Sequence, residues 1–506
     1  MRTPVILLAT ALVTTTLAGC EGLGSVGPDF VGPKSLLPAT SFLDTGKRVV
    51  SPIAITNATV NASSDTEWWR LFHDPTLTSL EARVAGQNLD VRTATLRLAE
   101  SRAQRGITAA AELPTLNGSG QYQREKLSQN SYLSLLPASL GGASAFAQPI
   151  SNYSVGFDAS WELDLWGHVR RQVEAADADL DASAEQRRDA LVSSLAEVAR
   201  DYVRLRGTQE LIRIAKDNLQ VNNEILGVTK VRQQQGLTTG LDTESAAAQV
   251  ASIQAQLPQL DQQQSQQINA ISLLLDEPPL GLSAELMPVR RIPPNPPRVP
   301  VGIPSELARR RPDIRMAEAQ LHAATADIGV AVAEFYPTVR LNGTPTLQAL
   351  DAKNIFKGSS LQYVIGPSVT LPIFEGGRLK STLVLREHQQ QEAAISYHKT
   401  VLQAWHDVVN AMTSYRTEQE RRDRLKDQVE HARTALGLAR NRYGQGVAEF
   451  TTVLDDARTM LEAEQQLAQS TADVSIDLIA LYKALGGGWE MTYPDLKAAP
   501  VFVAER

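Results

Sequence analysis

Apolar residues fall seven apart along one stretch of this chain, at Leu191, Val198, Leu205, Ile212, Leu219 and Leu226. The spacing returns 210 residues later at Val401, Val408, Tyr415, Arg422, Val429 and Leu436, where five of six positions stay apolar. The same shift carries Arg232-x-x-x-Gly236 onto Arg442-x-x-x-Gly446, and Leu275 onto Leu485. A sustained heptad specifies a long helix with one apolar seam. One structural unit has therefore been used twice, and two units are too few for a solenoid, which needs three or more. The pattern predicts a helix from Gly167 to about Gln235 and a copy over 376–444. At about 1.5 Å per residue each is about 100 Å long. Gly236 and Gly446 end these helices, and return helices follow over about 242–275 and 452–485. Pro258 predicts a kink in the first of them.

Elsewhere the period is two. Tyr153, Val155, Phe157, Ala159 and Trp161 alternate with Ser154, Gly156, Asp158, Ser160 and Glu162, and Leu116 to Gln123 alternates in the same way. In the second unit Thr338–Asn342 and Gln362–Ile373 repeat the arrangement. A membrane β-barrel strand has this pattern, and so does a half-buried soluble hairpin. A further helix is predicted from Asp74-Pro75 to about Leu113.

The N-terminus departs from both periods. Arg2 precedes an apolar run from Val5 to Val13 and then Leu17-Ala18-Gly19-Cys20. This has the form of a bacterial secretory signal, too short to span a membrane. Cys20 is the one cysteine of the chain, so no intrachain disulfide forms. The 506 residues are 43% hydrophobic and 21% charged, which describes an ordered protein. A net charge of −7 without a basic stripe argues against nucleic acid as a partner. The chain divides into a signal peptide (1–19), a Gly/Pro/Ser/Thr-rich extended linker (20–66), a first repeat (67–275), a Pro-rich linker (276–304), a second repeat (305–488) and a tail (489–506).

Several strings resemble signatures of the outer-membrane factors, the TolC/OprM-like exit ducts of tripartite efflux pumps. They are Trp161-Glu162-Leu163-Asp164-Leu165-Trp166-Gly167, Arg310-Arg311-Pro312-Asp313-Ile314-Arg315 and Pro372-Ile373-Phe374-Glu375-Gly376-Gly377-Arg378-Leu379. Leu17-Ala18-Gly19-Cys20 resembles a lipobox and points to the NodT-type lipoprotein branch. The resemblance implies a mixed α and β membrane protein. Long helical hairpins build an α-barrel in the periplasm, and four strands per chain contribute to a twelve-stranded β-barrel in a homotrimer. It implies a covalent lipid on Cys20 and no other cofactor. The implied partners are outer-membrane lipid, a periplasmic adaptor and an inner-membrane resistance-nodulation-division transporter.

The resemblance also assigns residues. Arg232, Gly236, Leu237 and Thr238, with Arg442, Gly446, Val447 and Ala448, match the tips that meet the adaptor. Asp242, Tyr443 and Asp455 match residues of the periplasmic gate. Ala448 stands where a TolC-like gate carries arginine, and Thr452 where a second ring aspartate falls, so the charged latch is incomplete. Asp242 also reads as an ordinary helix N-cap.

Enzymatic readings find no support. Gly486-Gly487-Gly488 lacks the Lys-Ser/Thr of a phosphate loop. His398 and His406 have no carboxylate in ligand spacing between them. The expected function is a passive exit duct for small molecules. An exit duct for type I protein secretion shares the fold, and a lipid-anchored coiled coil without a channel is the rival of another class.

Overall fold

In the computed structural model the two long helices have identical lengths. With helices numbered α1–α8 and strands β1–β8 in chain order, α3 spans His168–Gln234 and α7 spans Arg378–Gly444, 67 residues each. The return helices α4 (Gly240–Leu274) and α8 (Phe450–Ala484) have 35 residues each. Every one of these boundaries is displaced by 210 positions between the copies. The structure describes residues 24–33, 58–60, 66–126, 128, 148–296, 298–300, 307 and 310–494.

The described residues form two compact units. One draws on Met1–Gly32, Glu100–Asp181 and Ala319–Ile395, the other on Pro33–Ala99, Ala182–Glu318 and Ser396–Arg506. In the second unit the heptad stripe is the core. Leu191, Val198, Leu205, Ile212, Val401, Val408, Tyr415 and Val429 are all buried. Arg422, the polar exception, is buried with them and turns its guanidinium onto Asp423 at 3.2 Å. Apolar clusters join the four helices. Ile214 and Ala215 meet Ile253, Leu461 and Ala468, while Val429 and Ala432 meet Met460 and Ala463. Helix α4 runs without a break through Pro258.

The helix expected from Pro75 to about Leu113 is two helices, α1 (Pro75–Gln87) and α2 (Leu89–Ala109), followed by a 3-10 turn over Ala110–Glu112. Asn88 divides them. Its Oδ1 accepts from the backbone of Asp90 and Val91 at 3.0 Å, and its Nδ2 donates to the Leu274 carbonyl at 2.9 Å. An Asn side chain that caps backbone donors competes with helix continuation. The Pro-rich stretch carries a turn of helix, α5 (Ser283–Leu286), and a strand, β4 (Arg298–Pro300). That strand pairs in parallel with β1 (Ala58–Val60). Helix α6 (Pro312–Ala333) leads into the second set of strands.

The first unit holds an antiparallel sheet curled into a half-barrel. β2 (Thr115–Glu125) pairs with β3 (Ile150–Leu163) over its full length. The other edge of β3 takes β5 (Thr338–Gly343) and β6 (Thr346–Ala349) in succession. β8 (Ile365–Thr370) and β7 (Leu361–Gln362) lie outside these. In effect there are four strands, the third and fourth each interrupted once. The third breaks at Pro345, which lacks a ladder donor but accepts from the Phe157 amide at 3.0 Å. Gly156 permits the approach, since a Cβ there would fall 2.6 Å from the Pro345 oxygen.

Candidate functional site

The register of the sheet sorts its side chains onto two faces. Leu116, Gly118, Gly120 and Tyr122 oppose Ala159, Phe157, Val155 and Tyr153. Trp161 and Leu163 oppose Leu341 and Val339, which oppose Pro367 and Val369. One face is thus apolar from β2 to β8, and much of it is left exposed by the described residues. Leu116 is 69% exposed, Phe157 56% and Val369 65%. The opposite face is polar and cross-linked. Ser160 donates to Asn342 at 3.0 Å, Asn342 to Ser368 at 2.9 Å, Gln348 to Asn152 at 3.0 Å, and Arg340 pairs with Glu162 at 3.0 Å. A soluble hairpin would bury the apolar face; a barrel strand turns it to lipid. Trp161 and Trp166, near the strand ends, bond the carbonyls of Glu112 and Pro337 at 2.9 Å. Trp166 also stacks on Tyr336 at 4.9 Å. Tryptophan and tyrosine favour a bilayer interface, where the ring is half in lipid and the polar atom is satisfied.

The long helices α3 and α7 end in the same kind of cap. Leu237 N–H donates to the Arg232 carbonyl at 2.8 Å and Gly236 N–H to Gln233 at 2.9 Å. Val447 donates to Arg442 and Gly446 to Tyr443, both at 3.0 Å. This paired bonding with a left-handed glycine is a Schellman cap, and Gly236 and Gly446 have φ of 73° and 76°. Two apolar side chains, Leu237 and Val447, are exposed at the tips.

The residues assigned to the gate are not joined to one another within the chain. Asp242 sits in the first turn of α4, two residues beyond the helix start, and accepts a short hydrogen bond from the Thr238 hydroxyl. The N-cap itself is Thr239. Tyr443 is buried with Ala246, Ala439, Phe450, Val453 and Leu454, and its hydroxyl has no hydrogen-bond partner among the described residues. Asp455 is 74% exposed, with Arg458 loosely opposite at 3.9 Å. Of the three, only Tyr443 takes part in the polar links between the hairpins. Arg232 donates to the Tyr443 carbonyl at 2.9 Å and lies over its ring at 4.5 Å. Arg458 donates to Gln249 at 2.9 Å, and Gln465 to Gln256 at 3.2 Å.

The family described as outer membrane efflux protein matches residues 82–276 and 303–487, one match per repeat. The chain belongs to the outer membrane efflux protein family. It is 30% identical over 485 residues to the antibiotic efflux pump outer membrane protein ArpC of Pseudomonas putida, covering 96% of both chains. It is 28% identical to the probable outer membrane lipoprotein SilC of Salmonella typhimurium, over 94% of this chain and 96% of that one. The solved outer-membrane channel OprN superposes with a TM-score of 0.82 at 32% identity, over 92% of this chain and 99% of that one.

For a member of this efflux family the sequence reading missed two features. Part of the N-terminal stretch, assigned to an extended linker, is fixed. Val26 N–H donates to the Trp166 carbonyl at 3.0 Å, and Asp29 pairs with the buried Arg171 at 2.6 Å. Phe30 stacks on His322 at 4.4 Å. Gly27 crosses Gly329 so closely that a Cβ would fall 2.5 Å from its Cα. The string Gly27-Pro28-Asp29-Phe30 was the available signal, a turn followed by a charge and an aromatic ring. The second feature is Arg232, whose bond to the other hairpin has no signature in its own motif. Cys20 lies outside the described residues.

Proposed function

We propose that this chain is the outer-membrane exit duct of a tripartite efflux pump and works as a homotrimer. The carrying observation is the open four-strand sheet with its uncovered apolar face. Four strands cannot close, because membrane barrels begin at about eight. Open edges cannot face hydrocarbon, since each unpaired backbone group there costs several kcal/mol. Three copies supply twelve strands, with the polar face lining water. The helical hairpins continue the duct in the periplasm. Arg232, Gly236, Leu237 and Thr238, and Arg442, Gly446, Val447 and Ala448, form the surface for a periplasmic adaptor. Energy comes from an inner-membrane transporter of the resistance-nodulation-division type, and the cargo is small molecules. Asp242, Tyr443 and Asp455 lie at the end that closes the duct at rest.

Cys20 carries the lipid. A single acyl chain anchors marginally, so it assists a barrel that already holds the membrane. The bonded segment from Val26 to Phe30 begins six residues after Cys20. Native mass spectrometry of detergent-extracted protein is expected to give three chains, each starting at an acylated Cys20. A stable monomer overturns the duct, and an unmodified N-terminus overturns the anchor alone.

A further inference from the structure

The two tips carry the same motif but make different contacts. Arg442 is exposed, and its side chain makes no hydrogen bond or ion pair among the described residues. Arg232 is half-buried, and both of its interactions go to one residue of the other hairpin. Its Nη1 donates to the carbonyl of Tyr443, next to the last residue of α7. A cation is stabilised there, because this carbonyl, which already accepts from Gly446 N–H at 3.0 Å, keeps a second lone pair at the negative end of the helix dipole. Its guanidinium plane meets the Tyr443 ring, adding a cation–π contact. The ring in turn packs on Phe450 at 5.6 Å, at the start of α8. Arg232 therefore links α3 to α7 directly, and to α8 only through the Tyr443 ring.

No equivalent link forms from the second tip. Asp242 is occupied by Thr238 of its own hairpin. The positions 210 residues on, Ala448 and Thr452, cannot copy that carboxylate contact. The Tyr443 hydroxyl, through which a latch to a carboxylate would act, has no partner among the described residues.

We infer that Arg232 is the clamp of the closed duct, holding the two hairpin tips together through the backbone carbonyl and ring face of Tyr443 and not through its hydroxyl. This rests on the exit-duct reading. Arg232 is thereby a positioning residue for closure as well as part of the tip surface. The clamp predicts an order among variants that a hydroxyl latch reverses. Replacing Tyr443 by phenylalanine keeps the carbonyl and the ring, whereas leucine removes the ring.

The test is planar-bilayer recording of full-length protein without any adaptor. Arg232→Ala is expected to raise the occupancy of the large-conductance state about ten-fold, the ratio that loss of one charge-assisted hydrogen bond gives. Arg232→Lys retains the charge and a donor, so it should fall between wild type and Arg232→Ala. It also decides the matter if the alanine variant does not fold. Lys230→Ala, an exposed cation two residues away, controls for loss of charge. Tyr443→Leu is expected to open the duct well beyond Tyr443→Phe. Conductance of Arg232→Ala and Arg232→Lys equal to wild type overturns the clamp, as does Tyr443→Phe opening as far as Tyr443→Leu. In either case a conducting wild type leaves the duct reading standing. If inserted wild-type protein and every variant are silent, the duct itself fails.

Discussion

The two helical hairpins are copies in length and boundary, yet they are held in different ways. Arg206 and Gln209 of α3 correspond, 210 residues on, to Arg416 and Gln419 of α7. Arg206 is fully buried and donates to the carbonyls of Leu286 at 3.2 Å and Pro288 at 2.8 Å and to Gln209 at 2.7 Å. Gln209 donates to Leu286 at 2.8 Å. Four residues earlier, the Tyr202 hydroxyl reaches Asp74, the N-cap of α1, at 2.7 Å. Arg416, by contrast, is half-buried and pairs with Glu420 along its own helix at 3.2 Å. The same asymmetry recurs at the tips with Arg232 and Arg442. Duplication therefore fixed the backbone, and the covering segments decided what identical residues do. The linker after α4 and helix α1 bind the first hairpin, and there an arginine becomes a buried anchor.

The most severe test of this contrast is to truncate both arginines. Arg206→Ala removes a buried cation, leaves the Pro288 carbonyl without that donor and opens a cavity, so it should cost about 3 kcal/mol or more. Arg416→Ala removes one pair along a helix, worth about 0.5 kcal/mol or less. Thermal melts in detergent read the difference, and equal losses would erase the distinction between the hairpins.

A smaller effect with opposite sign is expected from the cover of the first hairpin. Glu81 of α1 is buried, neither carboxylate oxygen has a partner among the described residues, and burial raises its pKa well above the usual range. The folded chain therefore holds a proton that the unfolded chain loses above about pH 4.3. Stability falls as pH rises through that value and beyond. Glu81→Gln should remove this slope and stabilise the protein at neutral pH by on the order of 1–3 kcal/mol. The gain should vanish near pH 4, and a gain independent of pH would show that the carboxyl is not the cause.

The smallest expected effect belongs to the second hairpin. Burial, then Glu418 and Asp473, push Asp477 up to about 6. The first hairpin has Gln267, Thr208 and Gln263 at these positions, and Gln267 donates to Thr208 at 2.9 Å. Asp477 thus costs stability as pH rises from the usual carboxylate range to about 6. Asp477→Gln, which copies the first hairpin, should flatten the melting profile across that window. An unchanged profile would place the titration elsewhere.

Much of the architecture was legible in the sequence because it rests on periodicity. The heptad from Leu191 to Leu226 and its copy mark the buried seam, and the alternation around Val155 and Phe157 marks the two faces of the sheet. Periodicity could not show whether the apolar face is covered, which depends on the rest of the chain. It also ran through Asn88, where a capping side chain outcompetes an otherwise continuous helical pattern. The tips were legible as turns, since Gly236 and Gly446 adopt positive φ. Their division of labour was not, because Arg232 and Arg442 lie in the same motif and differ only in what faces them.

The account turns on whether this chain builds a conduit. Planar-bilayer recording of the wild-type, full-length protein tests that directly. It predicts discrete, steady conductance steps carried by a species whose native mass is three chains. A bilayer that stays silent after the protein has inserted, or conductance carried by a monomer, would contradict it.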